Sequence, residues 1–242
     1  MDHKIHVAES ENEWTDLAVK KILTQGEKSI QNQGHYSLVL SGGSTPMPVY
    51  QKLAELPPQS SLDWNNVFIF WGDERCVPPS HQDSNYRMAK KLLLDQIPIP
   101  EINIFRMKGE LPPSGAAQNY ERLISQFFLG KEKRFDTILL GIGTDGHTAS
   151  LFPGTPQLDI TDQWVVTSQK TETKSMRITL TYPAINNTRE ILFLATGIEK
   201  SEIIADVIMH PNSPPFYPAK GIRGKDTSPI WIIDKKAADL LS

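Results

Sequence analysis

The sequence predicts an α/β fold with a largely parallel central sheet covered by helices on both faces. Three observations lead there. Apolar runs of strand length alternate with amphipathic stretches of helix length along all 242 residues. The runs YSLVL, VFIFW and FDTILL are apolar with almost no polar interruption, as in strands buried on both faces. No repeat, low-complexity tract or Gly/Ser-rich linker divides the chain, so residues 1–242 are expected to form one domain.

In chain order, Trp14, Leu17, Ala18 and Ile22 have the spacing of one buried helix face, and Gly34 ends that helix. Tyr36–Leu40 is the first strand we expect. SGGSTP is a turn leading into the short helix MPVYQKLAEL, stopped by Pro57-Pro58. Val67–Trp71 is a second strand. Ser84 caps a helix carrying Tyr86 to Leu94, and Ala116–Phe128 is another helix. Strands come next at Phe135–Leu140, Trp164–Thr167, Met176–Thr181 and Ile191–Ala195, then a helix at Glu199–Met209. A Pro-rich loop, HPNSPPFYPAKG, leads to a strand at Ile230–Ile233 and a C-terminal helix.

Composition excludes several classes. A net charge of −3 leaves no basic footprint for nucleic acid or an anionic membrane. No window holds the ~20 apolar residues of a membrane span, and the N-terminus has no signal-peptide core. One cysteine, Cys76, permits no internal disulfide and suits a reducing, cytoplasmic location. Cys76 has no His or Cys at ligand spacing, and His3, His6, His35, His81 and His210 are scattered, so no metal site is expected.

Ligands of such sheets bind beyond the carboxyl ends of the strands. Three polar, glycine-bearing loops fall there: SGGST, GDERCVPPSHQDSN and GIGTDGH. The last contains G-x-G-x-x-G after a strand, the form of a dinucleotide fingerprint. That reading needs a long helix after the third glycine and an acidic residue ending the next strand. Pro153 and Gly154 interrupt any such helix, and Asp159 and Asp162 precede the next strand, so it is rejected. What remains is a tight turn around Gly141, Gly143 and Gly146, presenting Asp145 and His147. An imidazole there suits a general base, while the plainer alternative is a turn satisfied by Asp145.

Gly42, Gly43, Ser44 and Thr45 have the make-up of a phosphate cradle, without the lysine of a P-loop; a glycine turn capped by Ser44 or Thr45 is the alternative. In GDER, Arg75 suits an oxyanion, and Asp73 a sugar hydroxyl or a proton. Arg177 in a β-branched strand needs an anion, and Lys200 opens a helix, where a cation opposes the macrodipole unless a phosphate intervenes. For Arg177, Lys200 and Arg223, a salt bridge to a protein carboxylate is the alternative.

Together SGGSTP, W-GDER-V-P, GIG-DGH-ASLFP, RITLT and PA-G-IR resemble the 6-phosphogluconolactonases over nearly the whole chain. The resemblance implies a Rossmann-like sandwich and hydrolysis of 6-phospho-D-glucono-1,5-lactone, in the oxidative branch of the pentose phosphate pathway, without metal or cofactor. It implies a small sugar-phosphate partner and no obligate protein partner. His147 would be the base and Asp145 its tuner. The alkoxide would be stabilised by Arg75 or by loop amides near Gly143, and the phosphate bound by Ser44, Arg177 and Lys200, with Arg223 a further candidate. The related glucosamine-6-phosphate deaminases share the fold but carry a glutamate five positions after the loop histidine, where this chain has Phe152. They also have tyrosine at the position of Arg75. The lactonases' usual Val-Arg-Pro is Ile222-Arg223-Gly224 here. A non-catalytic sugar-phosphate sensor on the same fold would keep the cations and need no His147.

Overall fold

Strand β2 (Tyr36–Leu40) is buried at every position, as a strand covered on both faces must be. It is the hinge of the topology seen in a computed structural model, which describes residues 4–57, 62–170, 173, 175–214 and 216–241. The remaining elements are β1 (Lys4–Ala8), α1 (Glu11–Gln33), α2 (Met47–Glu55), β3 (Val67–Trp71), β4 (Asp73–Arg75) and α3 (Asn85–Ala89). They continue with α4 (Pro113–Phe127), β5 (Thr137–Leu140), β6 (Val165–Lys170), β7 (Ser175–Leu180), α5 (Tyr182–Asn186), β8 (Glu190–Ala195), α6 (Ser201–Met209) and β9 (Ile230–Asp234).

Six strands form a parallel sheet in the order β1-β9-β8-β5-β2-β3. From β2 the chain moves outward to β3, and from β5 it moves the other way through β8 and β9. The strand order therefore reverses between β2 and β5, and the crevice at that switch lies between their carboxyl ends. β4, β7 and β6 make a separate antiparallel sheet. The expected strands at Trp164–Thr167 and Met176–Thr181 thus belong to this second sheet rather than to the parallel one.

Helix α1 begins where Ser10 Oγ accepts from the Glu13 amide and ends at Gly34, whose φ of 75° requires glycine. It buries Trp14, Ala18 and Ile22, and Trp14 Nε1 donates to the Ile232 carbonyl at 2.9 Å. Tyrosines clasp the carboxyl ends of β2 and β3. Tyr50 Oη accepts from Ser41 N and donates to Ser41 O, while Tyr120 Oη accepts from Trp71 N and donates to Trp71 O. Burial drives both phenols' pKa upward, so they remain neutral donors.

Two expectations differ from the structure. Residues 235–240 form turns rather than a helix: Asp234 accepts from the amides of Ala237 and Gly197, closing the chain immediately after β9. Neither Ser44 nor Thr45 caps α2; Pro46 occupies the cap position without a side-chain bond. The Pro57-Pro58 stop falls partly outside the described residues, as does His3. Among the described residues no helix is long and apolar enough to cross a membrane.

At the opposite end of the sheet, fully buried Asp136 ties β2 to β5. It accepts from Ser37 N, Ser37 Oγ and Gln33 Nε2 at 2.8, 2.7 and 2.7 Å. Removing the carboxylate leaves the Ser37 amide and hydroxyl unmatched in the interior. For Asp136→Ala we expect a loss of about 3 kcal/mol in urea unfolding. An unchanged midpoint would show that the tie contributes nothing.

Candidate active site

The three loops converge as the strand order requires. A cleft of about 360 Å³ is lined by Gly42, Gly43, Ser44 and Thr45 after β2, and by Asp73, Arg75 and Asn85 after β3. Gly143 and His147 after β5, Arg177 on β7, and Lys200 before α6 complete the sequence candidates in its wall. Lys170, at the end of β6, joins them.

His147 is held by the backbone turn that carries it. Gly146 has φ 76°, the Gly146 amide donates to Gly143 O, and the Gly143 amide donates to His147 O at 2.8 Å. A Cβ on Gly143 would lie 2.1 Å from His147 Nδ1 and 2.4 Å from Asp145 Oδ1, so glycine is required for the ring to fold back over the turn. His147 Nδ1 meets Asp145 Oδ1 at 2.5 Å, and the same oxygen accepts from His147 N at 3.1 Å. This contact makes Nδ1 the protonated nitrogen of the neutral ring and leaves Nε2 as its acceptor. Partial burial works to raise the Asp145 pKa, but the His147 hydrogen bond and charge outweigh it and hold the carboxyl at about 2. The Gly143 amide is already engaged by His147 O, so of the loop amides near Gly143 this one is not available as an oxyanion donor.

The next residues are strained. Ala149 has φ 48°, unusual for a residue with a side chain, and lines the cleft. Its neighbours over-determine it: Thr148 Oγ1 donates to Gly141 O, Ser150 N to Thr179 Oγ1, and Ser150 Oγ to Asp73 Oδ2 at 2.6 Å. No helix succeeds Gly146, which removes the context of the dinucleotide fingerprint. Phe152 packs on His147 with ring centroids 5.1 Å apart.

Antiparallel pairing of β4 with β7 sets Arg75 opposite Arg177. Neither makes a salt bridge among the described residues. Arg75 donates to Asp83 O, its Nε is buried without a partner, and Arg177 donates to Ser175 Oγ at 2.5 Å. Burial, and after it the Arg75 charge, pulls the Arg177 pKa down. Lys200 and Lys170 likewise have no ion-pair partner among the described residues, so none of these residues supplies the salt bridge that the alternative requires for Arg177 and Lys200. Four cations therefore share a cleft whose wall, among the described residues, carries one carboxylate, Asp73. No intrachain bond engages the amides of Gly42 and Gly43 among the described residues, leaving them free to meet an anion.

Buried Glu74 is structural. It accepts from the amides of Arg75, Asn85 and Tyr86 and from Ser84 Oγ, all within 2.9 Å, welding α3 to β4. Asn85 donates to Asp73 O at 2.9 Å and to Asp73 Oδ1 at 3.2 Å, and it packs under Gly42, where a Cβ would lie 2.0 Å from Asn85 Oδ1. Arg223 lies elsewhere. It donates to Asn212 Oδ1 and Lys220 O, and its amide donates to Asn186 Oδ1. Its assignment to the substrate site is therefore withdrawn. Lys170 was missed as a site residue because it lies in no glycine-bearing motif, and Asn85, at the end of GDERCVPPSHQDSN, because an uncharged amide there gave no chemical signal of its own. No three His, Cys, Asp or Glu side chains among the described residues converge closely enough to hold a metal ion.

Residues 9–231 match the family model described as glucosamine-6-phosphate isomerases/6-phosphogluconolactonase. A 6-phosphogluconolactonase of Synechocystis is 40% identical over 230 residues, covering 93% of each chain. The crystal structure of a 6-phosphogluconolactonase from Thermotoga maritima superposes with a TM-score of 0.84 at 33% identity, covering 97% of this chain and 100% of that one. A monomeric glucosamine-6-phosphate deaminase superposes with a TM-score of 0.81 at 23% identity, over 98% of this chain and 99% of its own, a likeness of fold alone. The chain belongs to the glucosamine-6-phosphate isomerase/6-phosphogluconolactonase family.

Proposed function

We propose that this protein hydrolyses 6-phospho-D-glucono-1,5-lactone to 6-phospho-D-gluconate, with His147 as the general base. The observation that carries this is the Asp145–His147 pair at a cleft holding four cations without salt bridges among the described residues. Nε2 takes a proton from water as its oxygen bonds to C1, and the carbonyl electrons move onto oxygen as an alkoxide. Arg75 stabilises that charge. The alkoxide collapses, the bond from C1 to the ring oxygen breaks, and imidazolium Nε2–H returns the proton to the departing oxygen. Asp145 stays ionised and stabilises the imidazolium. Ser44, Arg177, Lys200 and Lys170 hold the 6-phosphate, and binding remote from C1 orients the carbonyl. Asp73, bonded to Ser150 and Asn85, is suited to orient a sugar hydroxyl rather than to move a proton.

Phe152 stands where the deaminases carry a carboxylate, and a phenyl ring transfers no proton; this favours the lactonase over the deaminase. The same proposal places the enzyme in the cytoplasm, where Cys76 stays reduced, without an obligate protein partner.

For His147→Asn we expect kcat to fall by roughly 10²–10⁴-fold with the fold retained, after subtraction of spontaneous lactone hydrolysis. Near-parental kcat would exclude His147 as the base. The pH profile adds a second check. The Asp145 pKa is depressed, so its ionised, pairing form is present above the ordinary carboxylate range and is lost only as pH falls through about 2. Protonation of Asp145 therefore produces no acid limb of kcat in the ordinary carboxylate range, and a limb in that range that disappears in Asp145→Asn would contradict the depressed carboxyl.

The cations should separate kinetically. Lys200→Ala is expected to raise KM several-fold with little change in kcat, whereas Arg75→Gln should lower kcat by about 10²-fold. The reverse pattern would exchange their roles.

A further inference from the structure

Away from the cleft, the segment that closes over the outer side of the His147 turn carries a lysine whose side chain is 2% exposed. Lys220 sits in the 3₁₀ turn Pro218–Gly221. Its Nζ lies 2.7 Å from Asp206 Oδ2 on α6, donates to Ser213 O at 2.9 Å, and stands 5.3 Å from the centre of the Tyr217 ring. A buried ammonium with these partners ties Ser213 and the Tyr217–Lys220 turn to α6, because parting it from Asp206 leaves a lysine charge unmatched in the interior.

That turn bears on the histidine's immediate neighbour. The Ala219 amide donates to Gly146 O at 3.0 Å, and the Tyr217 ring packs so closely that a Cβ on Gly146 would lie 2.5 Å from Tyr217 Cβ. Tyr182 Oη donates to Pro218 O at 2.8 Å, bracing the same turn from α5. Gly146 holds a left-handed φ and directly precedes His147, so its position sets where the imidazole starts.

We infer that Lys220 is a positioning residue for His147: its buried ion pair with Asp206 locks the Tyr217–Ala219 segment onto Gly146 and thereby holds the Asp145–His147 turn in register with the cleft. The inference rests on His147 being the base. Its action is indirect, since Lys220 makes none of the cleft's walls.

Two variants test it in the full-length protein. Lys220→Met keeps the aliphatic stem and removes charge and donor. Lys220→Met combined with Asp206→Asn also removes the carboxylate that the single change would strand, which protects folding. In whichever of the two unfolds cooperatively above the assay temperature, we expect kcat to fall about ten- to a hundredfold, as for a displacement of the reacting group on the order of 1 Å. KM should stay within about twofold, because the phosphate-binding cations are untouched. In ¹⁵N-histidine-labelled protein without substrate, the His147 Nδ1–H resonance should shift or broaden. Parental kcat with an unmoved resonance in a folded variant would overturn the inference. If neither variant folds, Tyr217→Leu, which loosens the contact with Gly146 without burying a charge, should give the same kinetic and spectral changes, and their absence would overturn it equally. The resonance is read without turnover, so a parent enzyme inactive on the lactone would refute the proposed reaction while leaving this test standing.

Discussion

Two arginines face each other across β4 and β7 with no salt-bridging carboxylate among the described residues, and the design of the cleft depends on that opposition. Like charges directly opposite on neighbouring strands destabilise a sheet. Here both are partly withdrawn from water, and Arg75 carries a buried Nε without a partner. Such an arrangement persists only where surrounding structure enforces it and a ligand relieves it. The enforcement is visible: Glu74, between Asp73 and Arg75, spends both oxygens on the start of α3, so the three-residue strand cannot drift from its place. In the proposed function the substrate phosphate supplies the counter-charge for Arg177 and the alkoxide that for Arg75. The small antiparallel sheet thus serves to bring cations, residues 75, 170 and 177, to the open end of the parallel one.

The catalytic turn answers a different constraint. It must fold an imidazole back onto a carboxylate two residues earlier, which leaves no room for a side chain at Gly143 and demands a left-handed conformation at Gly146. Neither requirement is shared by a dinucleotide site, although the glycine spacing coincides. The two diverge after the third glycine, where this chain places a strained Ala149 and a buried Ser150 bonded to Asp73 instead of a helix aimed at a pyrophosphate. Asp73, the one carboxylate in the cleft wall among the described residues, therefore stitches two loops together.

Much of this was legible in the sequence because the relevant signals are local. Buried strands such as Tyr36–Leu40 show as apolar runs, and strand-end loops show as glycines beside polar residues. The missed features depend on distant partners. β1 (Lys4–Ala8) is an edge strand with Lys4 and His6 among its five residues, so it presents no apolar run and is defined by pairing with β9. β4 is three charged residues whose partner strand lies about a hundred positions later. The expected C-terminal helix fails for a local reason that was overlooked: Lys235 and Lys236 would stand at its N-terminus and Asp239 near its end, the wrong way round for the macrodipole in a segment too short to nucleate alone. Arg223 was drawn into the site by its motif, and only the geometry shows its bonds to Asn212 and Lys220.

In the proposed function, the unmatched cations of the cleft await a phosphate. The most direct test is calorimetric titration of the protein with the stable product, 6-phosphogluconate, beside gluconate at the same pH and ionic strength. Cations held for a phosphate require saturable binding of 6-phosphogluconate that weakens as salt is raised, with gluconate at least about tenfold weaker, since it lacks the group proposed to meet Arg177, Lys170 and Lys200. Equal affinity for the two sugar acids would contradict that role.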